Sequence, residues 1–226
     1  MSELTRSVYF GVALSILAYW LGDRIQKKTG LVICNSLLLA ALMIVAVLKL
    51  FGISYEDYNE GGSLITLFLG PATACLAVTI YSKIRLLKKY WLPVAAGCLV
   101  GTGVSMGSIL VMCRLFGLDR ELTMSLLPKS VTTPIATAVA AGHGGIVPIA
   151  VAAVIFTGIL GNLAAPFLIR LFRVKDPVAV GLGIGACSHA VGTARALEIG
   201  ETEGAMSGLA MGLCGLLTTA AALLIS

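Results

Sequence analysis

The fold of this chain is decided by the stretch Leu126-Leu127-Pro128-Lys129-Ser130-Val131-Thr132-Thr133-Pro134-Ile135-Ala136. It interrupts a long apolar run with two prolines and a lysine. Sixty residues after Lys129 lies His189, inside a second interruption, Cys187-Ser188-His189-Ala190-Val191-Gly192-Thr193-Ala194-Arg195-Ala196. Charges and helix breakers in the middle of an apolar segment are costly and therefore mark candidate functional sites. We interpret the two interruptions as the two halves of one transport site.

The composition is that of a membrane protein that crosses the bilayer several times. The chain has 226 residues, of which 58% are hydrophobic and 12% are charged, and its mean hydropathy is +0.98. Soluble domains carry about 25% charged residues. The net charge of +5 does not indicate nucleic acid, because the basic residues lie in short clusters between apolar runs. The first run, residues 7–21, lacks a small-residue cleavage site and predicts a retained helix.

The residue inventory does not indicate an enzyme or a metal centre. Six cysteines stand singly, without a C-x-x-C pair, and the chain has two histidines. Motifs such as H-E-x-x-H, G-x-S-x-G and a phosphate loop are lacking. We expect no catalytic residues, no metal and no cofactor, with H⁺ or Na⁺ as a coupling ion.

Four spans are predicted in the first part of the chain, residues 1–117: 7–21, 31–48, 62–81 and 91–116. Basic clusters at 23–28 and 83–89 predict cytoplasmic loops, and the acidic stretch 55–60 predicts an outside loop. A weaker break interrupts the third span, and its candidate cavity-lining residues are Gly70, Pro71 and Thr73.

Residues 118–226 predict two units with one layout, an interrupted segment followed by a glycine loop and a clean span. The interrupted segments are 121–141 and 178–199, and the clean spans are 146–169 and 204–225. If 121–141 crossed completely, the basic residues at 170–175 would lie outside, against the positive-inside rule. We therefore prefer a re-entrant hairpin, and a full crossing with an unwound centre is the alternative. Hairpins on both sides of one clean span enter from opposite faces, as in inverted-repeat transporters.

Two cations lie inside these interrupted segments, Lys129 and Arg195. Burial of either without a partner would cost at least a few kcal/mol. Few acidic residues are near, so we expect the missing negative charge to be a ligand. In the alternative, these side chains reach to the interface or pair with Glu198.

The other substrate-binding candidates are hydroxyls and a glycine at the breaks: Ser130, Thr132, Thr133, Ser188, Gly192 and Thr193. Pro128 and Pro134 free backbone groups that ligand, water or polar side chains must satisfy in lipid. Helices that restart near Thr133 and Thr193 would point their positive ends at a carboxylate. The alternative for each hydroxyl is a hydrogen bond to its own backbone.

Two further polar residues lie in the apolar segments. Histidine is the side chain that can titrate near neutral pH, so His189 is a candidate for proton coupling, the alternative being a neutral, hydrogen-bonding histidine. Asn162 either faces a ligand in the cavity or joins two helices, the second being favoured.

The two interruptions, together with Leu69-Gly70-Pro71-Ala72-Thr73, Val174-Lys175-Asp176-Pro177 and Glu203-Gly204-Ala205, resemble the LrgB/CidB family over nearly the whole chain. The resemblance implies a multi-pass protein of the bacterial inner membrane, usually encoded with a small partner of the LrgA/CidA type. The family was first described as holin/antiholin-like regulators of murein hydrolase export and lysis. Ala141-Gly142-His143-Gly144-Gly145 and Cys187 depart from its common pattern.

Other members, including the plastid glycolate/glycerate translocator, whose C-terminal half is similar, move small monocarboxylates such as pyruvate, glycolate or glycerate. Together with the residues, this favours a monocarboxylate transporter built as an all-α polytopic membrane domain, residues 1–226. We expect about six full spans plus two broken or re-entrant segments, and a homo- or hetero-oligomer. The alternatives are a holin/antiholin-like regulator or pore without transport of its own, and a scaffold subunit that needs the LrgA-type partner.

Overall fold

The structure is a computed structural model that describes residues 7–30, 34, 36–68, 71, 74, 78, 81 and 84–225. Within these residues every regular element is a helix, which confirms the predicted all-α fold. The chain forms two compact units, Met1–Cys75 and Leu76–Ser226. The predicted single domain, with parts 1–117 and 118–226, stays a prediction.

Among its described residues, the first unit has the helices α1 (Val8–Thr29), α2 (Ser36–Phe51) and α3 (Tyr55–Leu67). The apolar run ends at Leu21, but α1 continues to Thr29 and ends at Gly30, which has a φ of 65°. Lys27 and Lys28 therefore lie in its last turn and not in a loop. Cations stabilise a helix C-terminus, where the unpaired carbonyl groups concentrate negative charge.

The prediction of an acidic loop at residues 55–60 was wrong, because these residues form the first turns of α3. Ser54 caps this helix, and its Oγ accepts a hydrogen bond of 3.1 Å from the Asp57 amide. Acidic side chains in a first turn interact favourably with the positive end of a helix. Of the predicted break beyond α3, Pro71 is helical, whereas Gly70 and Thr73 lie outside the described residues.

The second unit contains the remaining helices: α4 (Ile84–Lys89), α5 (Trp91–Leu115), α6 (Arg120–Leu126), α7 (Thr133–Gly142), α8 (Val147–Leu171), α9 (Pro177–Ile199) and α10 (Glu201–Ile225). By length and composition, five helices in the described part of the chain are suited to crossing a membrane: α1, α5, α8, α9 and α10. The molecule is therefore a multi-pass membrane protein.

Helices α6 and α7 form the first hairpin, residues 120–142. The Asp119 carboxylate caps α6 by accepting from the Leu122 amide at 2.8 Å. After α7 the chain returns to α6, since the Ile146 amide donates to the Ser125 Oγ at 2.6 Å. A β-carbon on Gly145 would lie 2.9 Å from the Ser125 nitrogen. The interrupted segment thus turns back towards its own start, as the re-entrant prediction requires.

Helix α9 forms the second hairpin, residues 177–199, although its 23 residues would be long enough to cross. The backbone reverses at His189, which has a φ of 42° and a ψ of −136°. Ala196 consequently packs with Val180 and Ile184 in one buried cluster. In a straight helix these residues would be about 24 and 18 Å from Ala196 along the axis. The arms of the second hairpin are residues 177–188 and 190–199.

The two hairpins approach the middle of α8 from its opposite ends. The first starts beside the N-terminal end of α8, and the second starts where Val180 packs with Ala165 near its C-terminal end. Val131, in the tip of the first hairpin, is buried together with Val154 of α8. The His189 Nε2, in the tip of the second, bonds the Val154 carbonyl oxygen at 2.9 Å. Both tips therefore lie at the same level of α8.

Helices α5 and α10 complete the second unit. Near one end of this unit, Val94 of α5 packs with Val178 of α9 and Met206 of α10. Near the other end, Cys113 of α5 packs with Met124 of α6. These helices therefore pack against the outer ends of the hairpins.

Candidate functional site

A cavity of about 560 Å³ lies where the two hairpin tips meet α5 and α8. We call it the Lys129 cavity. Its apolar lining includes Val104, Phe156 and Leu160, and its polar lining consists of Ser105, Ser108, Lys129, Ser130, Thr157, Cys187 and Ser188. Lys129, Ser130 and Ser188 were predicted as substrate-binding residues, and they come from separate interruptions of the chain.

The Lys129 ammonium is held by a short chain of hydroxyl groups. Its Nζ donates to the Ser130 Oγ at 3.2 Å, and the Ser105 Oγ donates to the same oxygen at 2.8 Å. Because Ser130 accepts both bonds, its own hydroxyl hydrogen is left to donate into the cavity. The ammonium also keeps donors of its own for a further partner.

No acidic side chain lines this cavity in the described part of the chain. A cation held in an apolar surrounding without a counter-charge is costly, and a bound anion would relieve that cost. The charge of the lining therefore favours an anionic ligand, and its hydroxyls favour a ligand with oxygen acceptors.

Ser188 contributes a second free donor to the cavity. Its side chain is 2% exposed, and its hydroxyl makes no hydrogen bond to any other residue that the structure describes. Buried hydroxyl groups nearly always have a partner, which can be protein, water or ligand. Ser188 lies directly before the reversal at His189, so the turn of the second hairpin sets its position.

The tip of the second hairpin is held by polar contacts to its surroundings. Because a carbonyl oxygen only accepts, the His189 Nε2 carries the proton in its bond to Val154. The Thr193 Oγ1 donates to the His189 carbonyl at 2.9 Å and shares a hydrogen bond of 2.8 Å with the Ser207 Oγ. The Asn162 Nδ2 donates from α8 to the Val191 carbonyl at 3.3 Å. His189, Thr193 and Asn162 thus support the tip and do not line the Lys129 cavity.

Two glycines on α8 permit this close approach. A β-carbon on Gly158 would lie 2.7 Å from the His189 Cε1, and one on Gly161 would overlap the Ser188 Oγ. Any larger residue at these positions would push the second hairpin away from α8. Gly192, predicted as a site residue, is buried against Ser188 and Ile184 within the hairpin itself.

Arg195 does not lie in the Lys129 cavity. Its guanidinium pairs with the Glu198 carboxylate, as the alternative interpretation expected. The physical reason is the helical spacing, since residues three apart face the same side of the second arm. Thr132 and Thr133 begin α7, between Pro128 and Pro134, and are also absent from the cavity lining.

Ser105, Ser108, Thr157 and Cys187 line the cavity but were missed from the sequence. Ser105 and Ser108 are three residues apart on α5 and therefore lie on the same helix face, which lines the Lys129 cavity. Hydroxyls at this spacing in an apolar span were the available signal. Cys187 adjoins Ser188 and was noted only as a departure from a family pattern.

Comparison with known proteins places the chain in a family. The model of the LrgB-like family matches residues 15–226. The chain belongs to the LrgB-like family. It is 37% identical to the antiholin-like protein LrgB of Bacillus subtilis over 217 residues, which are 96% of this chain and 94% of the relative.

Other relatives extend this finding. The uncharacterized protein YxaC of Bacillus subtilis is 37% identical over 91% of this chain and 90% of its own length. The antiholin-like protein LrgB of Bacillus mycoides is 35% identical over 95% of this chain and 94% of its own length. No solved structure matches the chain. The family match covers both hairpins, so the Lys129 cavity lies within the part of the chain that is common to the LrgB-like family.

Proposed function

We propose that this LrgB-like protein binds a small monocarboxylate in the Lys129 cavity and carries it across the bacterial inner membrane. One observation carries the proposal. An ammonium group without an acidic partner in the cavity lining lies among hydroxyls where two opposed hairpin tips meet. Inverted-repeat transporters bind substrate at such tips, near the midplane. Glycolate, glycerate and pyruvate are the substrates we expect.

The geometry supports a carboxylate in particular. The cavity offers a cation from Lys129 and hydroxyl donors from Ser130 and Ser188, and a carboxylate has two oxygens that accept from such donors. Its remaining wall is largely apolar, with Val104, Phe156 and Leu160, and would contact the carbon atoms. His189, at the second tip, is our candidate for proton coupling, with Na⁺ as the other coupling ion.

The second candidate function is an antiholin-like regulator of cell lysis without transport of its own. The names of the relatives support it more directly than they support transport, because two of the three described above are antiholin-like proteins. For either function we propose an LrgA/CidA-like membrane protein as the partner, in a homo- or hetero-oligomer.

Uptake of labelled glycolate or pyruvate into proteoliposomes, with and without that partner and across a pH gradient, decides between the two. Transport predicts saturable uptake that falls at least about tenfold in Lys129→Ala, since a hydrogen bond to a charged group contributes roughly 1.5–3 kcal/mol. Arg114→Ala is the matched control, because this exposed cation lies at the end of α5, outside the cavity.

The other outcomes are equally informative. Uptake that is the same in Lys129→Ala and the wild type would overturn the assigned site. Absence of uptake in every preparation, together with normal control of lysis by Lys129→Ala in cells, would favour the regulator. Release of solutes of any size would indicate a pore.

A further inference from the structure

A second cavity, of about 240 Å³, lies between α8 and the first arm of the second hairpin. We call it the α8–α9 groove. Its wall is apolar over most of its length, with Leu168, Ile169 and Phe172 from one side and Val180 and Ile184 from the other. A hydrophilic ligand such as a small carboxylate would lose its hydration there without gaining partners. The lining suits a hydrocarbon chain.

Three cations belong to the chain segment that forms the outer end of this groove. Arg170 follows the lining residue Ile169, Arg173 stands between the lining residues Phe172 and Val174, and Lys175 follows Val174. All three are exposed, and none forms an ion pair with another described residue. The nearby Asp176 carboxylate is engaged as the cap of α9, where it accepts from the Ala179 amide at 2.9 Å. Three cations and one carboxylate give residues 170–176 a net charge of +2.

Arg173 is held in an unusual backbone conformation at this end. Its φ is 52°, in the left-handed region, where it ends α8 and lets the Val174 amide donate to the Ile169 carbonyl at 3.1 Å. A residue with a β-carbon is less stable there than glycine. The helix end thus places a cation where glycine would satisfy the backbone more easily.

We propose that the α8–α9 groove binds one acyl chain of an anionic phospholipid, whose headgroup phosphate is held by Arg170, Arg173 and Lys175. The basic residues place this end of the protein at the cytoplasmic leaflet, which carries the anionic lipids. Phosphate is a ligand that arginine side chains bind with two parallel hydrogen bonds. The apolar groove and the basic end are both required, which distinguishes this site from a general attraction to the membrane surface.

The inner end of the groove reaches the proposed transport site. Gly161, Cys187 and Ser188 line both the groove and the Lys129 cavity. An acyl chain in the groove would therefore contact the tip of the second hairpin. Bound lipid would restrict the movement of this tip, so lipid composition would alter the properties of the Lys129 cavity.

The test is native mass spectrometry of the full-length, detergent-solubilised protein titrated with phosphatidylglycerol or with phosphatidylcholine. The wild type should retain phosphatidylglycerol preferentially. The triple variant Arg170→Gln, Arg173→Gln, Lys175→Gln should lose this preference, by about fivefold for each cation removed. The matched control removes Arg85, Lys88 and Lys89, three cations from the basic cluster before α5, and should keep the preference.

A second variant tests the groove without changing charge. Gly183 lines the groove and a β-carbon there would meet nothing within 4 Å, so Gly183→Phe adds an aromatic ring at an open position of the groove wall. It should reduce phosphatidylglycerol retention at least fivefold, whereas Gly103→Phe, at an equally open position outside the groove, should not. Equal losses in both triple variants, or normal retention by Gly183→Phe, would overturn the proposal. The readout is lipid binding, so it does not depend on the outcome of the transport assay.

Discussion

The Ser188 hydroxyl lies against Gly161, so closely that a β-carbon on the glycine would overlap its Oγ. The contact joins the tip of the second hairpin to the middle of α8. It also places the unpartnered Ser188 hydroxyl in the wall of the Lys129 cavity. The position of one proposed ligand donor thus depends on the absence of a single methyl group.

Gly161→Ala should displace Ser188 from the Lys129 cavity. Overpacking of this kind costs about 1–3 kcal/mol, so the melting temperature should fall and uptake of a labelled monocarboxylate should decrease. Gly103→Ala is the control, because a β-carbon there meets nothing within 4 Å. Equal melting temperatures and uptake for both variants would show that the tip does not need this contact.

Cys187 should be the thiol most accessible to water-soluble reagents among the cysteines of the second unit that the structure describes. It is exposed and lines the Lys129 cavity, whereas Cys98, Cys113 and Cys214 are buried. A negatively charged methanethiosulfonate reagent should label it, and glycolate or pyruvate should slow the labelling. Peptide mapping by mass spectrometry identifies the site, with Cys187→Ser as the control. Labelling that is insensitive to carboxylates would contradict anion binding beside Lys129.

The Arg195–Glu198 pair should contribute little to either stability or uptake. The two side chains are 32% and 64% exposed, and exposed ion pairs are worth about 0–1 kcal/mol. We expect Arg195→Ala to keep uptake within about twofold of the wild type and to change the free energy of unfolding by less than about 1 kcal/mol. A loss as large as that of Lys129→Ala would restore Arg195 as a second anion-binding cation.

Both ends of each hairpin should face the same side of the membrane. In a Cys187→Ser background, Arg120→Cys and Gly142→Cys, at the two ends of the first hairpin, should react with an impermeant maleimide added from one side. Lys175→Cys and Glu201→Cys, which flank the second hairpin, should react only from the other side. Labelling of residues 120 and 142 from opposite sides would instead require a full crossing.

The breaks in the helices were predictable from the sequence, because proline restricts the backbone and glycine frees it wherever they occur. Pro128, Pro134 and the region of Gly192 marked both interruptions, and the charge of the loops indicated that the first one turns back. The start of α3 was mispredicted because the acidic residues were assigned to a loop, although Ser54 can cap a helix there. The acidic composition favours a loop at this position and the Ser54 cap favours a helix, and a helix is what forms.

The cavity lining was harder to predict. Ser105 and Ser108 mark a polar face of α5, but the sequence does not reveal that this face meets the hairpin tips. For Arg195, the sequence offered both a ligand and Glu198 as partners, and only the geometry of the second arm distinguishes them. Which side chains lie at the hairpin tip depends on where the chain turns. The second hairpin turns at His189, a position that neither glycine nor proline marks in the sequence.

The reversal at His189 also affects whether the number of membrane crossings expected for the second unit is odd or even. Hydropathy alone gives four crossing candidates there, α5, α8, α9 and α10, which is an even number and would return the chain to the face it started from. Because α9 turns back, we expect three helices to cross, and an odd number of crossings would leave the end of α10 on the face opposite to the start of α5. A reporter fused after α10 would consequently lie on the opposite side of the membrane from the basic residues that precede α5. A simple count of apolar segments would instead place the reporter and these residues on the same side.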